Sequence, residues 1–123
     1  MAKKRELPSE LGAIHIANEV VAIASALAAM EVKGVASMKG GIGSEISEAT
    51  GRKNLARGVK VDINDLEAAI ELQIIGQYGS NLQEVAQKVQ KTVKKAVEEM
   101  TGLTVVQVNV YVPGIHIPQE TTA

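Results

Sequence analysis

The chain has 123 residues, about one domain by length and enough for a core without staples; 46% are apolar, and 13 Lys and Arg face 14 Asp and Glu for a formal net charge of -1. The absence of Cys excludes disulfides, thiolate zinc sites and cysteine catalysis, and the balanced charge leaves no electrostatic footprint for nucleic acid. With no Trp, no Phe and two Tyr the core must be aliphatic, and the platforms that stack on single strands or flat cofactors are almost absent.

Residues 1–9 lack periodicity and are expected to form a flexible N-terminus. Lys3, Lys4 and Arg5 are too few for a strong lipid contact, so a solvated tail is the stronger reading. No apolar run follows this basic start, so no signal peptide is read, and the cytoplasm is the expected compartment. Leu11 to Ile16 reads as a short strand with Ile14 and Ile16 on one face and Ala13 and His15 on the other. A helix is predicted to begin near Asn18 as N-cap, with Glu19 in its first turn. From Val20 to Met30 it is apolar almost all round, broken by Ser25, yet too short to span a bilayer. Such a helix must be covered on every side, and one sheet covers one side. The rest falls to the second helix, another copy or a partner. Val20, Ile23, Ala26, Leu27 and Met30 are therefore the candidate self-association residues.

Val35 to Lys39 reads as an edge strand. Residues 40–54, GGIGSEISEATGRKN, form the longest irregular segment, with room for one helical turn from Ser44 to Thr50. Val59, Val61 and Ile63 alternate with Lys60 and Asp62; after a turn at Asn64-Asp65, Ile70, Leu72 and Ile74 alternate with Glu71 and Gln73. Asn81 to Met100 is an amphipathic helix, capped by Asn81 and closed by Gly102. The last strand carries Val106, Val108, Val110 and Val112 on one face, with Gln107, Asn109 and Tyr111 on the other, and is expected to end at Pro113-Gly114. His116 is then placed in a loose tail. The order β-α-β-β-β-α-β predicts an α+β two-layer sandwich, a mixed sheet with both long helices on one face and a polar, open opposite face.

Chemistry is sparse. His15, Asp62 and Glu71 could meet on the polar sheet face and hold a metal, but their spacing matches no ligand motif, and a solvated face is the expected state. The serines lack a nucleophile elbow. Gly40-Gly41-Ile42-Gly43 matches a GxxG loop that clamps nucleic-acid backbone, but a strand precedes it and its charge pattern is mixed, so RNA binding ranks last. No catalytic, cofactor or metal site is predicted, and neither nucleic acid nor a small-molecule substrate is an expected partner. The candidate partner surface is His15, Lys60, Asp62, Glu71 and Gln73 with Gly40, Gly41 and Gly43. A non-enzymatic binding or assembly module fits these residues best.

The segments GAIHIANEVVAIASALAAMEVKGVASMKG, GVKVDI, QYGSNLQEVAQKVQKTVKKAVEEMTGLTVVQVNVYV and PGI together resemble the alkaline shock protein family of Gram-positive bacteria, over residues 10–116. The chain looks like its small stand-alone cytoplasmic members: one domain at 10–116 and a flexible tail at 117–123. The resemblance implies a non-enzymatic protein of envelope homeostasis and alkaline stress. It also implies either membrane association through a membrane-anchored partner protein or, in one branch, regulation of fatty-acid synthesis at acetyl-CoA carboxylase. No catalytic residues come with it. Joined to the apolar first helix, it leads to an expected homo-oligomeric adaptor.

Overall fold

Along Glu67–Gln77 buried and partly exposed residues alternate without a break, and this strand is the axis of the molecule. A computed structural model describes residues 6–9, 11–39 and 57–118. Its elements are β1 (Glu6–Ser9), β2 (Gly12–His15), α1 (Asn18–Met30), β3 (Val35–Met38), β4 (Val59–Asn64), β5 (Glu67–Gln77), α2 (Leu82–Thr101) and β6 (Thr104–His116). Ala68, Ile70, Leu72 and Ile74 of β5 turn to the helices and are at most 1% exposed. Both helices pack on that face of the sheet, and the α+β mixed sheet expected from the sequence is present.

β5 pairs antiparallel with β3 and β4 and parallel with β6. β3 and β4 lie end to end along one side of β5: β3 faces residues 74–76 and β4 faces 67–72. At the join, Lys39 N–H donates to the Gln73 carbonyl at 3.0 Å and Gln73 N–H donates to the Gly58 carbonyl at 2.9 Å. Two residues thus share the place that one residue of an unbroken strand would fill, so β3 and β4 are one edge strand split by the excursion between 39 and 58. The glycine segment and its predicted helical turn lie outside the described residues.

α2 forms as its pattern requires. Val85, Val89, Val93 and Val97 recur every four residues and are buried. The Asn81 side chain accepts from Glu84 N–H at 3.2 Å, and Gly102, at φ 79°, donates its N–H to Glu98 O. α1 differs from expectation. Its N-cap is Ala17, with no side-chain bond, while Asn18 Nδ2 donates to the carbonyl of Val61 on β4 at 3.1 Å. The buried side of α1 is made of Val21, Ala22, Ser25, Ala26, Ala28 and Ala29, and Ser25 Oγ donates back to Val21 O at 2.7 Å. Small side chains bring α1 close to α2 and β4, leaving little volume to fill.

Three other expectations need correction. Residues 6–9 are not a frayed end: they form β1, antiparallel to β2, and the two make their own two-stranded sheet, so β2 is not part of the main sheet. In β6 the register slips between Ala68↔Val105 and Ala69↔Gln107, a bulge at Val106. Val105 is consequently buried and Val106 is 56% exposed, the reverse of simple alternation. Finally, β6 does not stop at Pro113. A second slip lets the chain pass Pro113 and continue to His116, which pairs with Gln77 and accepts from Tyr78 N–H at 3.0 Å. Proline is tolerated there because β6 is an edge strand among the described residues, with β5 as its one partner.

Candidate interaction surfaces

Since Ala22, Ala26 and Ala29 face inward, the opposite arc of α1 carries the larger apolar groups. Val20, Leu27 and Met30 are 41%, 49% and 40% exposed, with Ile23 and Ala24 partly exposed beside them. A helix this apolar on its solvent side breaks the usual rule that the outer face is polar. Of the five residues proposed from the sequence, the structure puts Val20, Ile23, Leu27 and Met30 on this arc and Ala26, at 0% exposure, inside the fold. Glu19 lies in the first turn and Glu31 forms the C-cap, so acids stand at both ends of the stripe, and α1 itself contains no cation.

The open face of the main sheet holds Lys60, Asp62, Glu71 and Gln73 of the candidate partner surface. Lys60 is registered with Glu71 and Glu71 with Asn109; Asp62 is registered with Ala69 and Ala69 with Gln107. The small Ala69 leaves a shallow depression of about 360 Å³ bordered by Lys60, Asp62, Glu71, Gln107 and Asn109. Asn64 Nδ2 reaches Asp62 Oδ2 at 3.4 Å. Gln73 sits further along, beside Tyr111. His15 is not on this face, because β2 left the main sheet; it therefore does not join Asp62 and Glu71. Among the described residues no group of His, Asp and Glu is placed to hold a metal ion. Gly40, Gly41 and Gly43 lie outside the described residues.

The sheet edges carry polar side chains that the sequence did not reveal. On β4, the Asn18 amide occupies the Val61 carbonyl. On β6, Gln90 Nε2 donates to Val108 O at 3.0 Å, and Lys94 Nζ donates to Val105 O at 3.1 Å and to Glu98 Oε2 at 2.8 Å. The same Glu98 oxygen accepts from Val105 N–H at 2.8 Å. Side chains on edge carbonyls and N–H groups, a bulge and a proline all discourage strand addition. The i,i+4 spacing of Lys94 and Glu98 by itself signals only a solvated helix face, because their strand partner is invisible in a one-dimensional pattern.

The bond from Lys94, then that from the Val105 N–H, holds the Glu98 carboxyl below its ordinary range, against a smaller upward push from desolvation. A carboxylate with a depressed folded value stabilises the fold at neutral pH and loses that contribution as the pH falls through its folded value. Acid titration of the unfolding midpoint should therefore drop less steeply below the ordinary glutamate range in Glu98→Gln than in the parent chain. Parallel curves would remove Glu98 from the acid response.

No helix among the described residues is long and apolar enough to cross a membrane. Over 107 residues the chain is 34% identical to YqhY of Bacillus subtilis (strain 168), covering 87% of this chain and 79% of that protein. It is 37% identical to YloU of the same organism over 114 residues, or 91% and 95% of the two chains. A stress response regulator gls24 homolog of Streptococcus pyogenes serotype M3 (strain ATCC BAA-595 / MGAS315) is 25% identical over 95 residues, and the match spans 53% of its length. Among solved structures, a cadmium form of the MamM C-terminal domain aligns at a TM-score of 0.48 and 14% identity, over 84% of this chain and 100% of that one. The family model for alkaline shock protein 23, described as of cell envelope-related function, matches residues 6–117. The chain belongs to the alkaline shock protein 23 family.

Proposed function

We propose that this protein is a non-enzymatic, self-associating adaptor in cell-envelope homeostasis and stress response. The observation that carries the reading is the outer arc of α1, where Val20, Ile23, Leu27 and Met30 face solvent in one copy. Exposed apolar stripes of this kind mark interaction sites. The guarded sheet edges favour association through faces, and the polar sheet face with Lys60, Asp62, Glu71 and Gln73 remains for an outside partner. A membrane-anchored protein of the envelope would suit that second surface, bringing the adaptor to the membrane.

Light scattering over a range of concentrations tests the reading. The parent chain should be at least dimeric, and Leu27→Glu should raise the dissociation constant by about tenfold or more, the effect of losing a central interface side chain. Leu27 is half exposed, so the variant should keep its circular dichroism. Ala26→Glu cannot serve, since a charge at that buried position would unfold the core. An assembly of unchanged mass and affinity in a folded Leu27→Glu chain would refute the placement.

A further inference from the structure

We infer that the outer arc of α1 is covered by the N-terminal arm, residues 1–15, of a second copy, the two copies exchanging arms about a two-fold axis. This rests on the self-association reading and specifies its contact. Two observations meet in it. The first is the β1–β2 hairpin. It forms a sheet of its own, all four residues of β2 are exposed, and Leu11 and Ile14 are 100% and 50% exposed. A lone two-stranded hairpin is marginal in water and needs a further apolar surface to persist. The second is α1, which has such a surface, uncovered by the described residues of its own copy. One exchanged contact supplies both needs twice, as an isologous dimer requires.

Charge selects this occupant over the others. The stripe on α1 ends in Glu19 and Glu31 with no cation in the helix. Pairing α1 with its own copy, parallel or antiparallel, sets acid against acid, and an anionic lipid surface would be repelled at both ends. The arm instead brings Lys3, Lys4 and Arg5 in succession just before β1, against the acids Glu6 and Glu10.

The chain has no cysteine, which makes a mixing experiment clean. A Leu11→Cys chain is mixed with a Val20→Cys or a Leu27→Cys chain, one carrying a mass tag, and oxidised gently. At least one mixture should give the mixed disulfide in several-fold excess over either like-with-like product. Separately, removing residues 2–10 should convert the dimer to a monomer, and reversing Lys3, Lys4 and Arg5 to Glu should raise the dissociation constant about tenfold at low salt, with a smaller effect at high salt. Predominance of the Leu27→Cys like-with-like disulfide would overturn the arm in favour of α1 on α1. A shortened chain that stays dimeric would overturn the arm while leaving self-association standing, whereas a parent chain monomeric at every concentration would overturn both.

Discussion

Leu72→Ala is expected to lower the free energy of unfolding by about 3 kcal/mol, within the 2–5 kcal/mol that a buried Leu→Ala change costs. Leu72 is 0% exposed at the middle of β5, registered with Val59 on one side and Val110 on the other. Because β5 is held by strands along both flanks and by two helices above, the site has little freedom to collapse around the missing atoms, and the cavity should remain. For a domain whose whole stability is about 5–15 kcal/mol, that is a large fraction. Val106→Ala, on the exposed bulge of β6, should cost less than about 0.5 kcal/mol. Urea unfolding of the two variants beside the parent checks the pair, and equal losses would mean that β5 is not the buried axis.

How far the sequence carries the fold depends on whether each signal is local. α2 was legible to its caps, because Asn81, the four-residue valine spacing and Gly102 all act within one element. Asn18 misled for the opposite reason. A short polar residue ahead of an apolar run has the chemistry of an N-cap, but its amide partner is Val61, 43 residues away on a strand edge. In β6 the doublet Val105-Val106 offers two phases, and period-2 counting back from Val108 selects the wrong one; the bulge is a property of the pairing with β5. The α1 surface was legible as an excess of apolar residues, but not in its phase. The packing turns the alanines inward and the larger Val20, Leu27 and Met30 outward, against the habit of placing large apolar groups inside. Ala26 was therefore misassigned, and the choice between the two arcs could only come from how close α1 lies to α2.

That closeness is set partly at Gly34, and Gly34→Ala should lower stability by about 2 kcal/mol or more. Gly34 has φ 104°, a backbone region L residues avoid, and a Cβ there would strike Val85 Cγ2 and crowd Ser80 Oγ. Its carbonyl accepts from Gln77 N–H at 2.8 Å, so the turn from α1 into β3 is tied to the end of β5 just where α2 begins. The backbone cannot move away without breaking that bond, and Val85 is itself buried in the core. Gly79 separates the two causes, since its φ is 94° but a Cβ would meet nothing within 4 Å. Gly79→Ala should therefore show backbone strain alone, about 1–2 kcal/mol, and Gly34→Ala should exceed it by the cost of displacing Val85. Thermal and urea unfolding of both variants measure the difference. If the two losses are equal, strain decides and Val85 yields freely; if Gly34→Ala is clearly worse, the glycine is what lets α2 approach α1 closely enough to drive the larger side chains of α1 outward.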